Sequence, residues 1–189
     1  MAGEDDRWMR LAVELAWRCP PSETAYSVGA VIVAADGTEV SRGYSREDDP
    51  LVHAEESALG KLAGGDPRLA GGTIYSTLEP CSRRKSRPRT CTELIIASGL
   101  RRVVIAWREP PLFVADCQGA ELLSRAGLTV DELPAFAAQA AAPNRHLGVL
   151  SETYRGGSPA RPRCAAPSAT RCHQVATLCE ISHFGTIAA

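Results

Sequence analysis

Two neighbouring stretches limit the folds that this chain can adopt: VHAEESAL at residues 52–59 and TLEPCSRRKSRPRTC at residues 77–91. The first places a histidine and a glutamate two positions apart, at the start of a predicted helix. The second follows a predicted strand with Pro-Cys and opens another helix at a second cysteine. Catalytic zinc is held by three imidazole, thiolate or carboxylate ligands and keeps an open position for water. We therefore predict that His53, Cys81 and Cys91 bind one zinc ion per chain.

Glu55 is the predicted catalytic residue. In zinc deaminases a histidine and two cysteines hold the ion, while the glutamate of His-x-Glu acts as general acid and base without binding it. Zinc lowers the pKa of a bound water to about 7, and a nearby carboxylate can take up that proton. The simpler alternative is that His53 and Glu55 belong to a helix cap and that both cysteines are core residues. The combination with Pro80-Cys81 and Cys91 favours the zinc site.

The pattern around these stretches predicts a helix over residues 6–19, which the prolines of CPPSE end. Further elements are expected in this order: a hairpin of strands 28–35 and 39–44 around Asp36-Gly37, a helix from His53 to Gly64-Gly65, a strand 73–80, a helix 91–99, a strand 101–107, a helix 119–126 and a strand 128–132. Strands that alternate with helices form parallel pairs.

The predicted fold class is α/β, a three-layer α/β/α sheet of about five strands, with the hairpin first and parallel strands after it. Residues 1–150 are expected to form this domain. Residues 151–189 are rich in Pro, Ala and Ser, lose periodicity and are predicted to be a flexible tail. The cysteines and histidines of that tail match no standard zinc spacing; they are Cys164, Cys172, His173, Cys179 and His183.

The composition excludes several classes of protein. The 189 residues include 23% charged residues and carry a formal net charge of -1, which argues against a polyanion partner. The chain has no run of eighteen apolar residues, and its first residues, MAGEDDRWMR, are acidic, so we expect neither a membrane span nor a secretory signal. A cytoplasmic location is expected, where the seven cysteines would be reduced.

These motifs resemble the cytidine-deaminase-like superfamily and, within it, the pyrimidine deaminases of riboflavin biosynthesis. The resemblance covers residues 6–134 and rests on SVGAVIV, HAEESAL, IYSTLEPCS, RRVVIAWREP and ELLSRAGLTV, in that order. Nucleoside, deoxycytidylate and tRNA adenosine deaminases usually have the second cysteine three positions after the first, whereas Cys91 follows Cys81 by ten. The segments AYSVG and GYSRE, with this long interval, are more similar to the fungal-type deaminase than to the bacterial one.

The resemblance implies hydrolysis of a ring amino group of a phosphorylated diaminopyrimidinone, with release of ammonia. It leaves open whether the ribosylamino or the ribitylamino intermediate is used. It also implies a homodimer or homotetramer and, because no reductase domain is expected after residue 150, a separate reductase.

Candidate substrate contacts follow from the resemblance and from charge. The basic run between the two cysteines is predicted to hold the phosphate, since arginine pairs well with phosphate oxygens; the alternative is a solvated loop. The candidates are Arg83, Arg84, Lys85 and Arg89 in that run, Ser27 and Gly29 as pocket wall, and Glu79 at the pyrimidine edge. For Gly29 sheet packing is an equal alternative, and for Glu79 an exposed position at a strand end.

Other functions are open at this point. One is a deaminase of a nucleoside or nucleotide, of the cytidine or deoxycytidylate type, in salvage or antibiotic biosynthesis. A nucleic-acid deaminase would need a basic groove with aromatic residues, but aromatic residues make up only 5% of the chain. A non-catalytic binding module with structural zinc would have no use for Glu55.

Overall fold

The computed structural model describes residues 2–113 and 117–148. Its helices and strands are α1 (Ala2–Ala16), β1 (Gly29–Val33), β2 (Glu39–Tyr44), α2 (Ala54–Gly60), β3 (Thr73–Ser76), α3 (Cys91–Ser98), β4 (Arg102–Ile105), α4 (Gly119–Arg125), β5 (Thr129–Glu132) and α5 (Ala137–Ala141). Short 3₁₀ turns lie at Pro67–Leu69, Pro134–Phe136 and Ala142–Leu147. The predicted tail, with its cysteines and histidines, lies outside the described residues.

The five strands form one sheet in the order β2-β1-β3-β4-β5. β1 pairs antiparallel with both β2 and β3, whereas β3, β4 and β5 are parallel. The hairpin turns at Gly37, whose φ of +85° suits a residue without Cβ. The predicted fold class, with a hairpin first and parallel strands after it, is confirmed.

Helices cover both faces of the sheet. The close contacts of two glycines, one in β1 and one in β2, show which helix lies on which face. A Cβ on Gly29 would lie 2.0 Å from the carbonyl oxygen of Ala12 in α1. A Cβ on Gly43, which pairs with Ala30, would lie 2.5 Å from the amide nitrogen of Ala58 in α2. Because successive residues of a strand point to opposite faces, α1 and α2 lie on opposite sides of the hairpin. Helix α5 contacts α1, and α3 contacts both α2 and α4.

Several element boundaries differ from the sequence predictions. Helix α1 begins near the amino terminus and ends at Ala16, before Pro20 and Pro21, because residues that precede proline disfavour the helical conformation. Helix α2 ends at Gly60, where Lys61 caps it, and not at Gly64-Gly65. Strands β3 and β4 end at Ser76 and Ile105, so the segments that follow them are free to turn toward the site. Helix α5 was not expected from the sequence.

A buried polar cluster fastens α1 to the sheet. Tyr75 Oη donates to Asp5 Oδ1 at 2.7 Å, and Arg102 donates through Nη1 and Nη2 to the two Asp5 oxygens at 2.7 and 2.9 Å. Arg102 Nε also donates to Asp131 Oδ2 at 2.7 Å. The hydrogen bonds from Arg102 hold the pKa of Asp5 below its usual value, although burial opposes the shift.

No helix within residues 2–113 and 117–148 combines the length and the apolar character needed to cross a membrane.

Candidate active site

Three side chains with metal-binding atoms meet at the starts of α2 and α3. His53 is the residue before α2, Cys91 is the first residue of α3, and Cys81 follows β3. Their ligand atoms lie within 4.8 Å of one another, and this is the one such cluster in the described part of the chain. His53 Nδ1 lies 3.5 Å from Cys81 Sγ and 3.4 Å from Cys91 Sγ. One imidazole nitrogen and two sulfurs fit zinc.

The charges within this cluster suit a divalent cation. The hydrogen bond with Cys91, together with His53, lowers the pKa of Cys81 to about 4 against the effect of burial. The same hydrogen bond and burial raise the pKa of Cys91 well above its usual range. Burial, the largest single influence, disfavours the charged form of His53, yet the hydrogen bond with Cys81 and the charges of Cys81 and Glu55 together outweigh it and raise the pKa of that imidazole. Both sulfurs can be thiolates when they coordinate a cation.

Glu55 lies in the first turn of α2, two residues after His53, and is 3% exposed. Ser76 Oγ, at the end of β3, donates to Glu55 Oε1 at 2.7 Å and holds the carboxylate in place. Glu55 and two members of the cluster, His53 and Cys81, line the same cavity. The predicted catalytic residue is thus placed beside the predicted ligands.

The cavity has a volume of about 640 Å³, large enough for a small organic molecule. It is lined by His53, Cys81 and Glu55 and by residues of the loops around 22–28, 45–53, 78–86 and 109–113. Residues from these four loops come together because α2 begins at the edge of the sheet where the parallel strands β3 and β4 end. Ligands of α/β sheets bind at the carboxyl ends of parallel strands.

Glu109 is a cavity residue that the sequence analysis did not identify. It follows β4, and burial raises its pKa to about 7. Its backbone N–H donates to Glu79 Oε2 at 3.3 Å. The sequence could have indicated Glu109 as a cavity residue, because it follows β4 and the ends of the adjacent parallel strands β3 and β4 lie together.

Glu79 is among the residues that line the cavity, and its contact with the pyrimidine edge stays a prediction. The alternative of an exposed carboxylate is wrong, because its side chain is 0% exposed and its oxygens accept from backbone groups. Oε1 accepts from the N–H of Ala120 at 3.1 Å, and Oε2 accepts from that of Glu109. Arg108 lies 3.5 Å from Oε1. Glu79 thus anchors the start of α4 and the segment after β4.

Ser27 and Gly29 lie behind the cavity and not on its surface. Gly29 lies against α1, which supports the packing alternative. Ser27 is buried, and its backbone is hydrogen-bonded to Asn144. Their neighbours Tyr26 and Val28 do line the cavity.

Two basic residues of the run between the cysteines are engaged in ion pairs. Arg84 Nη1 donates to Glu56 Oε2 at 2.8 Å, and Arg84 Nη2 donates to the carbonyl of Leu51 at 2.6 Å. Arg87 lies 2.9 Å from Asp49 Oδ2 and 3.3 Å from Glu56 Oε1. These two arginines therefore hold the loop against the start of α2.

The other three basic residues differ in position. Arg89 is exposed, donates to the carbonyl of Glu93 at 3.1 Å and does not line the cavity. Arg83 and Lys85 are exposed and line the cavity. Within residues 2–113 and 117–148 neither has a hydrogen bond or an ion pair. Their charges remain available to a ligand.

Comparison with known proteins agrees with this geometry. The chain is 43% identical over 133 residues to diaminohydroxyphosphoribosylamino-pyrimidine deaminase of Schizosaccharomyces pombe, covering 69% of this chain and 32% of the relative. It is 40% identical over 131 residues to riboflavin biosynthesis protein RibD of Aquifex aeolicus, covering 67% and 34%. The chain thus spans about a third of the length of these curated relatives.

Solved structures show the same fold. A diaminohydroxyphosphoribosylaminopyrimidine deaminase/5-amino-6-(5-phosphoribosylamino)uracil reductase from Thermotoga maritima has a TM-score of 0.65 at 30% identity, covering 78% of this chain and 41% of that one. Aspergillus oryzae Rib2 deaminase has a TM-score of 0.62 at 23% identity, covering 76% and 96%, which shows the fold alone. Residues 2–107 match the family described as the cytidine and deoxycytidylate deaminase zinc-binding region, and the chain belongs to this family.

Proposed function

We propose that this chain is a zinc-dependent deaminase that hydrolyses a phosphorylated diaminopyrimidinone intermediate of riboflavin biosynthesis. The observation that carries the proposal is that His53, Cys81 and Cys91 form one cluster, and that two of its members line the same cavity as Glu55. The names of the S. pombe and A. aeolicus relatives support the substrate class.

His53 Nδ1 and the sulfurs of Cys81 and Cys91 would hold the zinc ion. Bound there, zinc supplies Lewis-acid activation of a water at neutral pH. The chain's own contribution is to place a carboxylate beside this position and to enclose the substrate.

Glu55 would move the protons of the reaction. With Oε1 fixed by Ser76 Oγ, its carboxylate can accept one proton from the attacking water and deliver it to a ring nitrogen, and can then accept the remaining proton of the added hydroxyl and deliver it to the departing amine. The carbon–oxygen bond forms when the first proton moves, the carbon–nitrogen bond breaks when the second one does, and the products are a ring carbonyl and ammonia. A structural zinc site would not need a buried glutamate at this position, so Glu55 argues against a non-catalytic module.

Arg83 and Lys85 would bind the substrate phosphate. Both line the cavity and neither is neutralised by an ion pair in the described residues, whereas Arg84 and Arg87 are paired. Charge-assisted hydrogen bonds to phosphate are among the strong polar contacts in proteins. This division narrows the predicted phosphate site from the whole basic run to two residues.

The predicted partners are a small phosphorylated pyrimidine and a reductase that acts on the product. The T. maritima relative is named as both a deaminase and a uracil reductase, which supports coupling of the two steps. Assembly as a homodimer or homotetramer and a cytoplasmic location remain predictions.

Ammonia release from six compounds tests the function. They are the ribosylamino and ribitylamino pyrimidines, each with and without phosphate, and deoxycytidylate and cytidine as representatives of the alternative. We expect one of the phosphorylated diaminopyrimidinones to have the highest kcat/KM. Faster turnover of deoxycytidylate or cytidine would favour the alternative, and no turnover by zinc-loaded protein would contradict the proposal.

A further inference from the structure

One side of the cavity is formed by a segment without regular structure, residues 20–28, here termed the wall segment. Five of its residues line the cavity: Ser22, Thr24, Ala25, Tyr26 and Val28. The segment lies between α1 and β1, and the ladder with β2 and β3 begins only at Gly29. Its buried backbone groups therefore need partners from elsewhere.

Asn144, the only asparagine of the sequence, supplies two of these partners. Ser27 N–H donates to Asn144 Oδ1 at 2.7 Å, and Asn144 Nδ2 donates to the carbonyl of Ser27 at 3.0 Å. Asn144 is 1% exposed and Ser27 is 5% exposed. The Asn144 amide thus satisfies both the N–H and the carbonyl of Ser27, the two groups that a neighbouring strand would otherwise pair with. From the same 3₁₀ turn, His146 Nε2 lies 2.8 Å from the carbonyl oxygen of Ser22.

Arg46, which itself lines the cavity, also holds the wall segment. Its Nε and Nη2 donate to the carbonyl of Pro20 at 2.9 and 2.7 Å, and its Nη1 donates to the carbonyl of Tyr26 at 2.9 Å. Nη2 also donates to Ser27 Oγ at 3.0 Å. Arg46 has a φ of +64°, which is uncommon for a residue with a Cβ and costs conformational energy. These hydrogen bonds offset that cost.

The side chains of both residues make their contacts away from the metal cluster. Asn144 lies in the turn Ala142–Leu147, whereas Arg46 follows β2 in the loop that leads to His53. The contact of Arg46 with this loop is made by its backbone N–H, which donates to the carbonyl of Val52 at 2.9 Å and does not use the guanidinium. The shape of the wall can therefore change while the cluster is left intact.

We propose that Asn144 and Arg46 are positioning residues that hold the wall segment in the conformation that accepts the pyrimidine substrate. The expected effect on substrate binding rests on the proposed deaminase function. The expected effect on the conformation of the wall segment does not. Their loss should weaken substrate binding and leave proton transfer by Glu55 and zinc binding unchanged.

The test uses the full chain with zinc bound and two variants, Asn144→Ala and Arg46→Gly. Arg46→Gly is the sharper one, because glycine adopts a φ of +64° without strain, so the guanidinium is removed while the backbone is relieved. Both variants should raise KM for the phosphorylated diaminopyrimidinone about ten-fold or more and change kcat by less than about three-fold. Arg145→Ala, an exposed neighbour of Asn144, is the matched control and should behave as wild type.

Hydrogen exchange followed by mass spectrometry provides a measurement that does not depend on activity. Amides of the wall segment should exchange faster in both variants, with peptides from α2 and α3 unchanged. Unchanged exchange in residues 20–28, or a fall in kcat and zinc content without a rise in KM, would overturn the proposal. If wild-type protein deaminates none of the six compounds, the proposed function fails, and the exchange data alone decide whether the wall is held in this way.

Discussion

Glu56 Oε2 accepts a hydrogen bond from Arg84 Nη1 at 2.8 Å and thereby joins the start of α2 to the loop between Cys81 and Cys91. The same carboxylate lies 3.3 Å from Arg87 Nε and accepts from the backbone N–H of His53 at 3.4 Å. One glutamate next to the catalytic candidate thus links the backbone of His53 to the loop that joins Cys81 and Cys91. In this basic loop Arg84 and Arg87 form ion pairs that hold the loop in place, whereas Arg83 and Lys85 are free to bind a ligand.

Purified protein should carry about one zinc per chain, bound through His53, Cys81 and Cys91. Cys91→Ala removes one of three ligands and should lose most of the metal. Cys19→Ala, which changes a half-buried cysteine outside the cluster, should keep it. Metal analysis by mass spectrometry measures both, and full zinc content in Cys91→Ala would remove that residue from the ligand set.

Glu55→Gln should fold and bind zinc but lose about 10²–10⁴-fold in kcat, because an amide cannot accept and return a proton. The hydrogen bond from Ser76 can persist to the amide oxygen, so the geometry is kept. Glu14→Gln, an exposed change on α1, controls for the loss of one negative charge. Near-normal ammonia release by Glu55→Gln would rule out the proposed role.

Replacing Arg83 and Lys85 together by alanine should weaken the phosphorylated substrate by about 1.5–3 kcal/mol for each charge-assisted bond lost, with little effect on the dephosphorylated compound. The comparison of kcat/KM for the two compounds measures this. Equal losses for both compounds would mean that the loop shapes the site and does not bind phosphate.

Arg84→Ala serves as the contrasting variant for that experiment. It breaks the pair with Glu56, so we expect it to reduce zinc retention and to affect both compounds alike. Zinc content must therefore be measured for every loop variant before the kinetics are compared.

Asp5→Asn should lower the free energy of unfolding at pH 7 by about 1.5–3 kcal/mol, the usual effect of a hydrogen bond to a charged group. Arg102 holds the pKa of Asp5 below its unfolded value, so the contribution of Asp5 is present above that value and is lost as the pH falls through the folded pKa. Urea unfolding at pH 7 and near pH 3 should show a smaller difference between wild type and variant at the lower pH. A difference that does not depend on pH would show that the charge of Asp5 is not involved.

The element order up to β5, the hairpin followed by parallel strands, and the positions of His53, Glu55, Cys81 and Cys91 could be predicted from the sequence, whereas α5 could not. These features depend on local patterns: apolar spacing, the turn at Asp36-Gly37, and ligand types at the starts of helices and the ends of strands. In ordinary crossover connections between parallel strands, the end of a strand and the start of the next helix lie at the same edge of the sheet, so ligand side chains at these positions come together.

Contacts between residues far apart in the sequence could not be predicted in this way. Asn144 meets Ser27 across 117 positions, and Glu79 is buried by backbone groups from two later segments. Which basic residues of the loop are neutralised depends on where Glu56 and Asp49 lie after α2 has packed on the sheet. The sequence by itself determined which groups can carry the chemistry. Only the tertiary structure decided which of them face the cavity, because burial and pairing depend on the packing of distant elements.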